Sequence, residues 1–554
     1  MNKICQFSSL EKIFPFDALP EKELESISVL ANESFSYQVT YTYVPDSHDG
    51  ATGCDLEITL DSPLKDFVTL RTVENIPAEY VCHPWWKEND DNFLKKEGGL
   101  FPDLLKPLEK PYVESFQQIE KSIWVSVKLD GSVPAGNYPI HITFTNKKED
   151  YTYTKTMQVE IVGASMPEQE MKVTRWFHCD CIASVYNVEI FSERHWELIE
   201  KFMKTAADNG INMILTPIFT PPLDTEVGTE RPTVQLVGVE KKDEQYTFDF
   251  SLLKRWIDMA HRCGIRYFEM AHLFSQWGVE ATPKIVATVD GEEKRIFGWD
   301  TPSTCDAYKN FMDQFLPQLT AFLRAEGVAE NTVFHISDEP HGEEHRQNYI
   351  NAKAMIRHHL EGFTIMDALN DVEFYKTGAV ECPVPTTDGV EKFLEVAVPE
   401  RWVYYCCGTN IGLSNQFFAM PSWRNRVIGA QFYKYGVEGF LQWGYNFYYS
   451  RLSREVINPF LTTDAKYAFP AGDAFSVYPG PDGPWESLRI LVFYDALQDV
   501  RAMRLLESYI GKDAVIKLID EAYGTDVDFH TCPKSADPIL NLRERIHTEI
   551  KKHL

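Results

Sequence analysis

From about residue 168 the chain repeats one pattern: a short apolar run, a polar turn, an amphipathic helical stretch, then the next apolar run. VTRWFHCD (Val173 to Asp180), NMILTPIF, RYFEMAHLF, TVFHISDEP, FTIMDAL, an irregular segment around GAVECPVPTTD, WVYYCCG and GFLQWGYNFYY form eight strand candidates, six of them clear. The helical stretches include SERHWELIEKFMKTAADNG, ending at Gly210, and LLKRWIDMAHRCG, ending at Gly264. A glycine just past the last apolar position is a common helix stop, because it accepts the left-handed conformation that closes the final turn. Strands separated by helices run parallel, since each helix carries the chain back along the sheet face. Eight such units in a row predict a (β/α)8 TIM-type barrel.

Upstream the period falls to two. SFSYQVTYTYV (Ser34 to Val44) and SIWVSVKLDG (Ser122 to Gly131) alternate polar and apolar side chains, and SVPAGNYPIHITF places a turn before another strand. Short alternating strands between Gly, Pro and Asn turns predict an antiparallel β-sandwich. The expected fold class is multidomain α/β: an N-terminal β-sandwich over 1–167, a barrel over 168–510, and a helical C-terminal extension over 511–554 packing on the barrel.

A barrel of this kind does its chemistry where strands end and the following loops begin. The first strand candidate ends in Trp176, His178 and Asp180, and the third in Glu269 and His272. The fourth ends in Asp338 and Glu339, the fifth in Asp367 and Asn370. The seventh offers Tyr405 and Asn410, the eighth Trp443, Tyr445 and Asn446. The most charged stretch is FHISDEPHGEEH, Phe334 to His345, and two chemistries compete for it.

The first is a metal site, because HGEEH fits the H-x-x-E-H pattern of one zinc peptidase class. Its two histidines must share a helix face. Pro340 and Gly342 instead place His341 at a strand-to-helix turn, so no metal is expected. The second is a carboxylate pair. Adjacent residues on a strand point to opposite sides, so Asp338 and Glu339 face one ligand only where the strand ends, and Pro340 ends it there. Two close carboxylates also raise each other's proton affinity, which suits a general acid near neutral pH.

Trp176, Trp277, Trp299, Trp443 and Tyr445 lie near the same rim, with Trp402 and Trp423 assigned to the core. Flat apolar faces beside carboxylates and amides suit sugar rings. A common retaining glycosidase needs a second carboxylate, about 5 Å from the acid/base, as nucleophile. WVYYCCGTN supplies none at its end, which leaves Asp180, Asp367 or Asp388. The other route is substrate assistance, in which the sugar's own 2-acetamido oxygen attacks the anomeric carbon.

HISDEP, GFLQWGYNFYY and GDAFSVYPGPDGPWESLR (Gly472 to Arg489) together resemble glycoside hydrolase family 123, the β-N-acetylgalactosaminidases, the last block resembling its associated C-terminal domain of unknown function. The resemblance spans most of residues 170 to 510. It implies retention by substrate assistance, with Asp338 orienting the acetamide, Glu339 as general acid/base, and neither metal nor cofactor. The expected function is an exo-acting glycoside hydrolase releasing β-linked N-acetylhexosamine, with N-acetylgalactosamine preferred. A retaining β-glycosidase with a protein nucleophile and a non-catalytic glycan-binding protein are the alternatives. Gly472, Asp473, Tyr478 and Arg489 are further candidates, the first three on a loop that would descend on the ligand.

Partners follow from charge. Against 54 basic residues stand 82 acidic ones, a net charge of −28, which repels nucleic acid and anionic membrane surfaces. A small carbohydrate is the expected partner. No segment approaches the roughly 18 to 20 apolar residues of a membrane span, and MNKICQFSSLEKIFPF lacks an apolar signal core, so the expected location is cytoplasmic. The eleven cysteines show no disulfide or metal-ligand spacing and are expected to be small buried apolar groups.

Overall fold

The computed structural model describes residues 2–44 and 52–554. The N-terminal region forms two five-stranded sheets. One runs Asn2–Ser8, Ser34–Tyr43, Lys121–Lys128, Val68–Ala78, Gly99–Pro107, and the other Ser26–Leu30, Tyr151–Val162, Gly136–Asn146, Gly53–Asp61, Tyr112–Phe116. Pairing is antiparallel except between Ser26–Leu30 and Tyr151–Val162. Alternate residues meet between the sheets: Tyr37, Val39 and Tyr41 face a core that includes Ile140, Ile142, Phe144, Val159 and Ile161. The opposite face of Ser34–Tyr43 is buried as well. There Gln38 donates to the Ser8 and Glu11 carbonyls, at 3.2 and 2.7 Å, which satisfies a polar side chain that burial would otherwise penalise.

The second region is an eight-stranded parallel sheet. Its strands are β1 (Lys172–Arg175), β2 (Met213–Thr216), β3 (Tyr267–Met270), β4 (Thr332–Phe334), β5 (Thr364–Ala368), β6 (Cys382–Val384), β7 (Trp402–Tyr404) and β8 (Gly439–Gln442). The spatial order is β6-β5-β4-β3-β2-β1-β8-β7. A parallel bridge between Thr386 and Tyr404 brings the β6 and β7 edges together, so the sheet curls into a near-closed, TIM-like barrel. Helices separate the strands, among them α1 (Glu193–Asp208), α2 (Ser251–Cys263), α3 (Asp306–Ala325) and α4 (Gly342–Ile356). Their ends follow the local signals. The Ser192 side chain caps α1 by accepting from His195 N, and Gly264 stops α2 at φ +101°. Trp402 and Trp423 are both buried in the packed interior.

After β8 a long loop returns to the sandwich, and α5 (Leu488–Ile510) follows it. Arg489, at the start of α5, reaches across to Asp103 of the sandwich with Nε and Nη2 at 2.7 and 3.0 Å. The Tyr478 hydroxyl donates to the same carboxylate at 2.5 Å. Phe14, Phe101 and Leu104 share one apolar cluster with barrel residues, so sandwich and barrel are welded by a common core. The last helices, Lys512–Tyr523 and Asp537–Lys551, bury Leu518, Ile519 and Ile546 against Leu506 of α5 and Leu30 and Val162 of the sandwich. Among the described residues no helix is long and apolar enough to cross a membrane.

Candidate active site

At the C-terminal rim of the barrel a cavity of about 110 Å³ opens between the strand ends. Asp338 and Glu339 form one side, four and five residues beyond β4, and Trp176, Ala368, Tyr404 and Leu441 come from the ends of β1, β5, β7 and β8. Trp443, Phe447 and Phe469 complete an aromatic wall, and Leu223, Asp224 and Trp277 stand opposite on loops. The chain leaves the extended conformation at Glu339, whose φ is +43°. A left-handed backbone at a non-glycine residue costs about 1 kcal/mol or more, and such outliers persist where the surroundings enforce them. Here the enforcing contacts are a 3.0 Å hydrogen bond from Trp277 N to the Asp338 carbonyl and the Tyr404 hydroxyl, which donates to Glu339 Oε1 at 2.5 Å.

The two carboxylates are therefore treated differently. Glu339 is oriented by a phenol. Among the described residues no side chain or N–H hydrogen-bonds the Asp338 carboxylate, which leaves both its oxygens free for a ligand. Burial, then the adjacent Glu339 and Asp367, hold the Asp338 carboxyl well above the usual carboxylate range, while His335 opposes them. Across the cavity, burial pushes Asp224 up to about 6 despite a 3.0 Å hydrogen bond from Leu452 N.

Beneath the pair lies a buried charged triad. His335 donates from Nδ1 to Asp367 at 3.0 Å and from Nε2 to Glu269 at 3.1 Å. Burial disfavours its charge, but the two carboxylates win and push it up to about 10. Asp367 also accepts from Ile336 N and the Tyr349 hydroxyl, and Glu269 from the Thr174 hydroxyl and Trp176 Nε1, so both remain acceptors. The strand that delivers Asp338 and Glu339 is thus tied to its neighbours by ionic hydrogen bonds.

The sequence matches the family described as Glycoside hydrolase 123, catalytic domain, over residues 176–506. The chain belongs to glycoside hydrolase family 123. A solved family 123 glycoside hydrolase from Clostridium perfringens superposes with a TM-score of 0.74 at 16% identity, over 100% of this chain and 98% of that one. The likeness therefore takes in the sandwich and the C-terminal helices as well as the barrel. β-Glucuronidases from Parabacteroides merdae and Bacteroides uniformis align more loosely, each with a TM-score of 0.30, 10% identity, and cover of 84% of this chain and 50% of theirs. No curated protein matches the sequence.

In this family 123 chain the rim candidates divide sharply. Trp176, His178 and Trp443 line the cavity with Asp338 and Glu339. Asp473 sits one step behind, accepting from Trp443 Nε1 at 3.0 Å, and burial pushes it up to about 7. The others point elsewhere. Asp180 is locked to Arg231 at 2.7 and 2.8 Å, and Asn446 grips the His178 backbone from both sides. His272 is buried inside the barrel, stacked on His335 with ring centroids 4.5 Å apart. Asn370 holds the Thr386 amide and hydroxyl, and Asn410 closes its own turn onto Gly408 and Ile411.

Tyr405 faces away from the cavity and accepts from Arg175 Nη2 at 3.3 Å, whereas Tyr404, one residue earlier, faces in, as strand alternation requires. Tyr445 packs in the core on Phe177, with its hydroxyl on the Phe202 carbonyl. Tyr478 and Arg489 belong to the sandwich–barrel joint, because the loop carrying them folds back onto the sandwich, and Gly472 gives its carbonyl to Arg489. The cavity residues not foreseen are Asp224, Tyr404, Cys406, Cys407 and the apolar wall. Strand alternation sends one of Tyr404 and Tyr405 to the cavity without saying which, and Asp224 sits in an irregular loop with no periodic signal.

His341 precedes the first turn of α4, and its backbone N–H donates to His345 Nδ1 at 3.3 Å. That ring nitrogen is therefore already engaged. Among the described residues, His272, His335 and Asp367 lie close enough for a metal, but both His335 nitrogens are donors to carboxylates there.

The raised proton affinity of Asp338 has a sign that can be checked. If catalysis needs its carboxylate ionised, kcat/KM falls as pH drops through that raised value, because the neutral form accumulates in the free enzyme. The acid limb of the pH–rate profile is expected well above pH 4, and a profile flat down to pH 4.5 would remove Asp338 from that role.

Proposed function

We propose that this enzyme is an exo-acting, retaining glycoside hydrolase on a (β/α)8 barrel, which releases terminal β-linked N-acetylhexosamine, with N-acetylgalactosamine preferred, by substrate assistance. The observation that carries this reading is the pairing of a hydrogen-bonded Glu339 with an unpartnered Asp338 on one cavity wall. Asp338, ionised, accepts the acetamide N–H, turns its carbonyl oxygen toward the anomeric carbon and stabilises the oxazolinium ion that forms. Glu339 protonates the leaving oxygen and then takes a proton from the incoming water. The aromatic wall, with Trp443 and Phe447, receives the C–H face of the ring and excludes water. The Clostridium perfringens enzyme is described in terms of glycolipid glycan hydrolysis, which supports glycans of that kind as the substrate class.

A protein nucleophile is less well supported. Asp180 and Asp367 are engaged in buried networks and Asp388 is exposed away from the cavity. Asp224 lines the cavity, but it stands on a loop across from Glu339, with Oδ2 engaged by Leu452 N at 3.0 Å. A substrate series separates the two. Replacing the acetamide by a trifluoroacetamide draws electrons from the attacking oxygen, so kcat/KM is expected to fall by about tenfold or more. Equal rates would contradict substrate assistance.

A further inference from the structure

We propose that Tyr80 of the sandwich and Tyr467 of the loop after β8 form a binding platform for the sugar on the leaving-group side of the scissile bond. This rests on the reading of the cavity as the site of the terminal sugar. With the terminal sugar in the cavity, the next residue of the glycan lies at its mouth.

On the loop that supplies Phe469 of the cavity wall, and on the sandwich segment bonded to that loop, stand two tyrosines. Tyr467 is 62% exposed, a large aromatic with one face open to solvent. Its ring meets that of Tyr80 edge-on, with centroids 6.4 Å apart at 71°. Tyr80 is half-buried and meets the ring of His83 at 5.2 Å. Phe469, two residues beyond Tyr467, packs on Trp443 inside the cavity at 4.8 Å. The loop that carries Tyr467 thus also supplies Phe469 of the cavity wall, and the sandwich adds Tyr80 beside it.

The backbone gives an independent sign that this display is enforced. Ala465, Lys466 and Tyr467 have φ of +48°, +59° and +64°, three successive non-glycine residues in the region that L side chains avoid. Local preference would not choose such a turn, and backbone strain of this kind gathers at binding sites. Asp464 holds it, accepting from Tyr467 N at 3.1 Å through Oδ1 and from Tyr80 N at 2.9 Å through Oδ2. The Ala471 amide closes the joint on the Tyr80 carbonyl at 2.8 Å. One carboxylate thus positions both aromatic residues. The Tyr467 hydroxyl donates to Glu79, which fixes the ring and leaves an acceptor beside it for sugar hydroxyls. Exposed aromatic faces next to a fixed carboxylate suit a pyranose ring stacked on its C–H side.

The test compares two substrates with the same terminal N-acetylgalactosamine, a methyl β-glycoside and a β-linked disaccharide ending in a hexose, on the wild type, Tyr467→Ala and Tyr80→Ala. Tyr467 is at the surface, so its variant should fold. Loss of a stacking face of this kind corresponds to about a tenfold fall in kcat/KM for the disaccharide. The methyl glycoside should be unchanged. Equal loss on both substrates, or no loss on either, overturns the platform and leaves the proposed function standing. A wild type inactive on both substrates overturns the proposed function and the platform with it.

Discussion

Replacing Glu339 by Gln is expected to lower kcat/KM for an alkyl N-acetyl-β-galactosaminide by roughly 10³-fold, within the range that general acid–base catalysis supplies. The side chain keeps its size and Gln still accepts from the Tyr404 hydroxyl, so the cavity survives and only the proton is lost. The effect should depend on the leaving group. An alkoxide needs the proton from Glu339 to depart, while a nitrophenolate leaves with much less help, so the loss on the aryl glycoside should be smaller. The two substrates, assayed side by side with a thermal melt to establish folding, separate a catalytic role from a structural one. A loss below about tenfold on the alkyl substrate would show that Glu339 is not the acid.

The second large effect falls on stability. Among the described residues, Arg489→Met leaves the Asp103 carboxylate, buried at the sandwich–barrel joint, with only the Tyr478 hydroxyl as a side-chain donor. Removing one partner of a buried ion pair costs about 3–5 kcal/mol, because the remaining charge is neither paired nor solvated. The unfolding midpoint in denaturant should fall accordingly. The double change Asp103→Leu with Arg489→Met should cost less than the single one, since no charge is stranded. If the single variant unfolds at the wild-type midpoint, the joint is not held by this pair.

Much of the architecture could be read from residue order because its signals are local. Several barrel strands, such as Met213–Thr216 and Trp402–Tyr404, are apolar runs, and helices such as α2 end where a glycine adopts positive φ. The sixth strand, Cys382–Val384, is only three residues long and sits in a Pro-rich segment, so its run is too short to declare a period. Pro340 led the sequence reading to end the fourth strand at Asp338–Glu339, but β4 already ends at Phe334, and the pair stands on the loop beyond it, where the backbone turns at Glu339.

Side-chain direction was much less legible. Tyr404 and Tyr405 differ by one residue and by one face of the strand, and nothing local says where the barrel's strand register begins. Tyr445 and Tyr478 carry the aromatic character of a sugar site, yet one packs in the core and the other ties two regions together. Both outcomes depend on partners, Phe202 and Asp103, that are 243 and 375 residues away in the chain. Asp224 reaches the cavity from a loop whose path is set by contacts with Leu452 and Ser453, again remote in sequence.

In the proposed reaction the substrate's own acetamide is the nucleophile, held by Asp338 and served by Glu339. Nitrophenol release from nitrophenyl N-acetyl-β-galactosaminide, beside the plain β-galactoside, tests this most directly. Turnover of the acetamido sugar alone, lost in Asp338→Asn, is the predicted result. Comparable turnover of the galactoside would contradict substrate assistance and move the search for a nucleophile to Asp224.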